Sequence, residues 1–231
     1  MINISELAFS YQGRDAELAS SFGMRVRSLT VPVGATTALV GPSGSGKTTL
    51  LGLIAGTLRA ASGSIIVNDE AITEFSDKDL GQYRLRSVGQ VFQSFELLDY
   101  LTVIENVMLP WYISGDGMQE DIRERAAELL RNVDLTTKQT AMPGELSQGE
   151  QQRVAVCRAM LNNPPVLLAD EPTGNLDQEN KQNVVDLLVE QAQQNDSTLL
   201  MVTHDESLLS KFDAVLDMRG VAQPLKAPSQ E

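Results

Sequence analysis

The hydrophobic pattern along the chain predicts strands towards both ends and helices in the middle. Residues 2–9 alternate apolar and polar positions as an edge strand does, and residues 24–33 give a second strand. From residue 102 to residue 161 the apolar positions follow helical spacing instead. Further strands are predicted at 36–40, 63–67, 87–92, 166–169, 198–203 and 214–218, and further helices at 47–55 and 180–194. Strands that alternate with helices are typical of an α/β fold.

Residues 41–48 have the sequence Gly-Pro-Ser-Gly-Ser-Gly-Lys-Thr and match the phosphate-loop pattern G-x-x-x-x-G-K-[ST]. The glycines let successive backbone N–H groups turn towards phosphate oxygens, and the helix that follows adds the positive end of its dipole. In this interpretation Lys47 reaches the terminal phosphates and Thr48 binds Mg²⁺. A glycine- and serine-rich connector is the alternative. The predicted nucleotide ligands here are Gly41, Pro42, Ser43, Gly44, Ser45, Gly46, Lys47, Thr48 and Thr49.

Two adjacent carboxylates follow the apolar run at 166–169, which is typical of a parallel strand covered on both faces. Open α/β sheets bind ligands at the carboxyl ends of their strands. Asp170 and Glu171 therefore suggest two roles: Asp170 in the Mg²⁺ shell and Glu171 polarising the attacking water. A pair of solvated acids at a strand end is the alternative interpretation.

The segment from Ser147 to Glu150 has the S-x-x-E form of a capping box and precedes a helix-forming run. It is therefore a well-capped helix start. A helix N-terminus is also an anion site, and the segment by itself does not decide between the two.

Composition excludes several classes of protein. The single cysteine, Cys157, excludes a disulfide framework and favours a reducing cytoplasm. The net charge of −13 argues against binding to a nucleic-acid backbone. Residues 28–46 carry no charge, but Pro32, Gly34 and Pro42 interrupt them, so we expect no membrane span. The N-terminus lacks the basic and apolar regions of a signal peptide.

Over nearly its whole length the chain resembles the ATP-binding subunits of ATP-binding-cassette (ABC) transporters. Six motifs of that family follow in order: Walker A at 41–48, the Q-loop glutamine Gln93, the LSGGQ signature as Leu146-Ser147-Gln148-Gly149-Glu150, Walker B at 166–170 with the catalytic glutamate Glu171, the D-loop at 175–177, and the switch histidine His204. The resemblance implies one domain over residues 1–222. It would contain a P-loop NTPase core with a mostly parallel sheet, an N-terminal antiparallel β region and an inserted helical subdomain at about 95–161. Residues 223–231 are expected to form a loose tail.

The resemblance also implies a head-to-tail homodimer with two ATP molecules between the chains. Each ATP would lie between Walker A of one chain and the signature residues Ser147, Gln148, Gly149 and Glu150 of the other. Glu171 would activate water, and Gln93 and His204 would contact Mg²⁺, the water or the γ-phosphate. Asp177 would communicate the state of one site to the other. The expected metal ligands are Thr48, Gln93 and Asp170.

The signature and the adenine contact depart from the family pattern or leave a choice open. Gln148 replaces the first signature glycine and Glu150 replaces the final glutamine, which raises the question of the turnover rate. Family members often stack adenine on an aromatic residue near the N-terminus, and Tyr11 is the first candidate. Strand alternation puts Tyr11 on the face of Leu7 and Phe9, so a core position competes, and Phe22 is the second candidate.

Residues 97–107 and 170–177 resemble the lipoprotein-release, macrolide-efflux and cell-division group of the family. The group implies a partner: a membrane permease whose coupling helix docks near residues 95–110. The chain would then lie on the cytoplasmic face of the inner membrane through its permease. A non-transport ABC protein and a regulatory ATP-binding module with little turnover remain the alternatives.

Overall fold

A parallel five-stranded sheet positions the residues of interest in the computed structural model, which describes residues 1–11, 22–115 and 118–224. Its strands are β3 (Thr36–Val40), β6 (Val88–Phe92), β7 (Val166–Asp170), β8 (Thr198–Val202) and β9 (Ala214–Asp217), in the spatial order β6-β7-β8-β3-β9. All four neighbouring pairs run parallel. The carboxyl ends of the strands consequently meet at one edge of the sheet.

A second, antiparallel sheet is formed mainly by strands from the N-terminal part of the chain. It contains β1 (Ile2–Ser10), β2 (Gly23–Val31), β4 (Ser62–Val67), β5 (Glu70–Ala71) and β10 (Ala222–Pro224), in the order β10-β2-β1-β4-β5. A bulge shifts the β1–β4 register next to Glu6, which has a φ of 47°. Gly63 fits there because a Cβ at this position would overlap the Glu6 carbonyl.

Helices cover the parallel sheet. They are α1 (Lys47–Ile54), α2 (Asp77–Ser87), α3 (Val103–Val107), α4 (Leu109–Ser114), α5 (Gln119–Asn132), α6 (Gln148–Met160), α7 (Gln178–Gln194) and α8 (Met218–Val221). The hydrophobic pattern did not predict α2, because only Leu80, Tyr83 and Ser87 of it are buried. A capping box between Ser76 and Asp79 marks its start in the sequence.

The parallel sheet separates two hydrophobic cores, as the alternation of side chains along β7 illustrates. Val166 and Leu168 belong to the core shared with the antiparallel sheet and α1, whereas Leu167 and Ala169 belong to the core under α3, α5, α6 and α7. Each fully buried Leu or Val contributes about 1.5–3 kcal/mol to folding. Burial on both faces explains why this strand is apolar without interruption.

The predicted α/β fold, with its parallel sheet and N-terminal antiparallel region, is confirmed. The tail requires a correction: Gln223 and Pro224, expected to be loose, pair with Arg25 and Met24 of β2 as part of β10. Residues 225–231 lie outside the described residues. Among the described helices, none combines the length and the apolar character that a membrane span requires.

Candidate active site

The loop between β3 and α1 presents a helix N-terminus that its own side chains leave uncapped. Gly46 is the N-cap, with a left-handed φ of 93° and no side-chain cap hydrogen bond, and the first turn of α1 contains no acidic residue. A Cβ at Gly46 would lie 2.8 Å from Sδ of Met24 and 3.0 Å from the ring of Phe22. Glycine is thus required here both by the backbone conformation and by the close packing. The uncapped start of α1 favours an anion.

Lys47 folds back over the phosphate loop. Its Nζ donates hydrogen bonds to the carbonyl oxygens of Gly41 (2.9 Å) and Pro42 (3.0 Å), and the residue is only 6% exposed. The side-chain oxygen of Ser45 is buried in the same loop without a hydrogen-bond partner among the described residues. The loop therefore holds a cation at the place where phosphate oxygens are expected.

Asp170 ends β7 beside Thr48, the second residue of α1. Burial raises the pKa of the Asp170 carboxyl; hydrogen bonding from Thr48 opposes the rise, the charge of Glu171 adds to it, and the charge of Lys47 opposes it. The Oδ1 atom of Asp170 is buried and has no hydrogen-bond partner among the described residues. A hydroxyl and a carboxylate oxygen that lacks a partner are suitable ligands for Mg²⁺, which prefers oxygen donors. The donor set fits the ion.

Glu171 and His204 meet across the ends of β7 and β8. The Oε1 atom of Glu171 lies 2.8 Å from Nε2 of His204. Glu171 has a left-handed φ of 47°, and its backbone N–H donates to the carbonyl of Val202. Such a conformation is uncommon for a residue other than glycine, and it frequently occurs at functional sites. It turns the Glu171 side chain towards the next strand of the sheet.

A cavity of about 280 Å³ brings several of these groups together, although Asp170 is not part of its lining. The lining combines two aromatic residues, part of the phosphate loop, the first residues of α1 and the two residues at the strand ends: Tyr11, Phe22, Ser43, Gly44, Gly46, Lys47, Thr48, Thr49, Glu171 and His204. Tyr11 is 46% exposed, unlike its buried neighbours Leu7 and Phe9 on β1, so the alternative that placed Tyr11 in the core is wrong. Its hydroxyl lies 3.4 Å from Oγ1 of Thr49 and its ring packs edge-on against Phe9. Both aromatic candidates for the adenine contact face this cavity.

Gln93 follows β6 at the same edge of the sheet, but its amide packs against Gly174. A Cβ at Gly174 would lie 2.6 Å from Nε2 of Gln93. The Asn175 side-chain amide also donates to the Gln93 carbonyl at 3.1 Å. The residues after β6 and β7 are therefore held together, and Gln93 is anchored to Gly174 and Asn175, which follow Glu171 in the sequence.

The signature residues form a separate site at the start of α6. Ser147 is the N-cap: its Oγ accepts from the Glu150 N–H, while its own N–H donates to Oε2 of Glu150 at 2.7 Å. The hydrogen bond that the Glu150 carboxylate accepts from the Ser147 backbone N–H is the main cause of its lowered pKa, which partial burial opposes. Gln148 is exposed in the first position of the helix. Within a single chain, the start of α6 therefore already carries the negative charge of the Glu150 carboxylate.

Asp177 is the N-cap of α7. Its Oδ1 accepts from the backbone N–H of Asn180 at 3.0 Å and its Oδ2 from the Asn180 amide at 2.7 Å. These hydrogen bonds lower the pKa of Asp177. The sequence analysis did not single out Asn180, although an Asp followed three residues later by a polar side chain at a helix start is a visible capping signal.

Comparison with known proteins shows the family of the chain. Residues 24–174 match the family model described as ABC transporter. The chain belongs to the ABC transporter family. It is 42% identical over 184 residues to the lipoprotein-releasing system ATP-binding protein LolD of Treponema denticola (80% of this chain, 81% of the relative) and 37% identical over 214 residues to the ABC transporter ATP-binding protein YtrE of Bacillus subtilis (91% of each). The ADP- and phosphate-bound dimer of the ATP-binding cassette MJ0796 has a similar fold, with a TM-score of 0.82, 29% identity and coverage of 98% of this chain and 100% of that one.

Proposed function

We propose that this ATP-binding cassette hydrolyses ATP as a homodimer and thereby powers a separate membrane permease. The observation that carries the proposal is the Glu171–His204 pair, 2.8 Å apart in the lining of the cavity that also contains Lys47 and Thr48. A carboxylate held by an imidazole beside a phosphate loop is suited to the activation of water next to a γ-phosphate.

The phosphate loop and the first turn of α1 bind the triphosphate of ATP. Lys47 exchanges its hydrogen bonds with the Gly41 and Pro42 carbonyls for the terminal phosphate oxygens. Thr48 and Asp170 would hold Mg²⁺, with Gln93 as a further expected ligand. When bound, Mg²⁺ neutralises charge on the β- and γ-phosphates. Adenine stacks on Tyr11, with Phe22 on the same side of the cavity.

Glu171 accepts the proton of the attacking water. The His204 imidazole fixes the orientation of the carboxylate through its Nε2 atom and also reaches the γ-phosphate. Gln93 contacts the water or Mg²⁺ from the end of β6. Gln93 packs on Gly174, so its amide would have to leave that residue to reach the site.

A second copy of the chain completes the site. Ser147 and Gly149 contact the ATP that the partner binds, and Gln148 and Glu150 flank that contact. Asp177 passes the state of one site to the other. Two observations support this step: the signature residues begin a helix apart from the cavity, and the related cassette MJ0796 is dimeric with ADP and phosphate bound.

The permease docks on the groove beside residues 95–110. The groove has a volume of about 270 Å³, and its mainly apolar lining includes Phe92, Leu109, Pro110 and Ile113. Ile113 is 65% exposed and Phe92 37% exposed in the same groove, so the groove presents apolar surface to solvent. By analogy with its LolD relatives, the permease is of the export or mechanotransmission type, with a lipoprotein, peptide or drug as cargo. The cassette is cytoplasmic and peripheral on the inner membrane.

The test of hydrolysis is the substitution Glu171→Gln. We expect turnover to fall about 10²- to 10⁴-fold, with ATP binding retained and an ATP-bound dimer accumulating in size-exclusion chromatography. Glu190→Gln, an exposed change on α7, is the matched control. If Glu171→Gln equals the parent in turnover and in dimerisation, Glu171 is not the base, and the regulatory module with little turnover becomes the better hypothesis.

The test of the permease is co-purification. Tagged Glu171→Gln protein is extracted from membranes in Mg-ATP, and we expect it to retain a polytopic membrane protein that the variant Ile113→Glu does not. Recovery of soluble partners or nucleic acid alone would favour a non-transport ABC protein.

A further inference from the structure

The first turns of α6 and α7 touch at Gly149 and Asn180. A Cβ placed on Gly149 would lie 2.5 Å from Oδ1 and 2.8 Å from Cγ of Asn180. Such distances are shorter than any van der Waals contact of carbon, so the Asn180 amide occupies the space that a side chain at residue 149 would need. The signature glycine therefore has a neighbour within its own chain, independent of any nucleotide.

A hydrogen bond to Asp177 restrains the Asn180 amide beside Gly149. Its Nδ2 donates to Oδ2 of Asp177 at 2.7 Å, and the Asn180 backbone N–H donates to Oδ1 of the same carboxylate at 3.0 Å. Asp177, Asn180 and Gly149 consequently form a continuous series of contacts. The series joins the start of the signature helix to the residue that is expected to communicate between the two ATP sites.

We propose that Asn180 is a positioning residue that fixes the start of the signature helix to Asp177 within one chain, and that residue 149 is glycine in order to admit the Asn180 amide. The inference deepens the proposed homodimer and rests on it for its functional part. Asn180 occupies the side of Gly149 on which a Cβ would lie. Asp177 and the signature helix then approach the partner as one unit.

The structural part is tested in the nucleotide-free protein with a double-mutant cycle of Gly149→Ala and Asn180→Ala, read out by thermal unfolding. We expect Gly149→Ala alone to lower the melting temperature by about 5 °C, because the new methyl group overlaps the amide. In the Asn180→Ala background the same substitution should lower it by less than about 2 °C. Gly144→Ala is the matched control, since nothing lies within 4 Å of its Cβ.

Equal losses in both backgrounds would overturn the inference. If Gly149→Ala does not fold by itself, recovery of folded protein for the double variant supports the inference. If neither can be recovered folded, the glycine is needed for another reason and the inference is wrong.

The functional part is measured as ATP-dependent dimerisation in the Glu171→Gln background. We expect Asn180→Ala to weaken dimerisation about tenfold, and Asn180→Ser, whose hydroxyl still donates to Asp177, to recover part of the loss. A purely structural residue would change the melting temperature and leave dimerisation of the folded protein unaltered. If Asn180→Ala dimerises like its parent, the positioning role is wrong. If the Glu171→Gln parent itself fails to dimerise while the thermal cycle is non-additive, the homodimer fails, and with it the functional part of the inference, but the packing of Asn180 on Gly149 stands.

Discussion

The starts of α1 and α6 are both helix N-termini in sequence motifs that point to nucleotide, but they differ in what already occupies them. At α1 the N-cap is Gly46, which has no side chain, and Lys47 holds a positive charge over the loop. At α6 the N-cap is Ser147, and the Glu150 carboxylate accepts its N–H. One helix start is open to an anion, whereas the other already carries a negative charge.

The difference indicates how the two halves of a composite site can share one ligand. In the proposed site, the open, cationic start of α1 is suited to bind the triphosphate within one chain. The start of α6 has its Ser147 and Glu150 N–H groups engaged in the capping box, so it attracts phosphate weakly by itself. A helix start of this kind engages a phosphate only when the rest of the interface holds it there. Dimerisation would therefore depend on nucleotide bound first at α1.

The largest effect should come from removing the cation at α1. Lys47→Ala is expected to lower ATP turnover at least about 10²-fold, because the terminal phosphates lose their charged donor. Saturating Mg-ATP should no longer raise the melting temperature, whereas it should do so for the parent. Lys78→Ala on the exposed face of α2 is the control. If the Lys47→Ala protein still gains stability from Mg-ATP, the start of α1 is not the stronger of the two phosphate sites.

Asp170→Asn separates the effect on stability from the effect on turnover at the site beside α1. Burial raises the pKa of Asp170, so the ionised carboxylate costs folding free energy at neutral pH, and a neutral amide should increase the melting temperature of the nucleotide-free chain by a few degrees. This gain should shrink as the pH falls through the raised pKa, because the parent carboxyl then becomes neutral too. Turnover should fall about 10²-fold through loss of the Mg²⁺ ligand. Thermal scans from pH 4 to pH 8 and steady-state ATPase assays measure both; a lower melting temperature at neutral pH would show that the carboxylate stabilises the fold.

Ser147→Ala tests the start of α6, the weaker of the two expected phosphate sites. Loss of the cap should cost about 1 kcal/mol, or about 2–4 °C in melting temperature. ATP-dependent dimerisation in the Glu171→Gln background should weaken about tenfold, since in the proposed dimer the hydroxyl also contacts the partner's ATP. Ser76→Ala is a matched control because it removes the same type of capping box from α2. If both variants lose equal stability and neither loses dimerisation, Ser147 is a helix cap and nothing more.

Sequence alone accounts for much of the α1 half. The phosphate loop and the β7 carboxylates are local patterns, and the carboxyl ends of parallel strands necessarily converge, so Lys47, Thr48 and Asp170 could be placed together without coordinates. The roles assigned to these residues stay predictions. The contact between Glu171 and His204 depends on the register of β7 against β8 and on the left-handed backbone at Glu171, which no local pattern encodes.

The parts that sequence did not predict depend on packing between distant elements. α2 was missed because few of its residues are buried; its local signals are the capping box, the acidic first turn and the basic last turn. The exposure of Tyr11 follows from where β1 ends, at Ser10, so that strand alternation no longer applies to it. The Gly149–Asn180 contact requires the relative position of two helices, α6 and α7, whose separation in sequence gives no information about their distance.

The smallest and most specific change at α6 is Glu150→Gln, which removes the negative charge and keeps an oxygen that can accept the Ser147 N–H. The loss of a carboxylate beside the partner's triphosphate should strengthen ATP-dependent dimerisation about two- to fivefold at low salt, with less effect at high salt. The helix-capping hydrogen bonds lower the pKa of Glu150 in the folded chain, so its ionised form stabilises the fold above the unfolded pKa, and this contribution is lost as the pH falls through the folded value. The Gln variant should therefore lose less stability than the parent on acidification below about pH 5.

Glu128→Gln on the exposed face of α5 is the control for net charge. If Glu150→Gln dimerises more weakly at every salt concentration, the carboxylate itself binds the partner chain. The starts of α1 and α6 would then differ in their ligand, phosphate at α1 and the partner chain at α6, and not in the strength of phosphate binding.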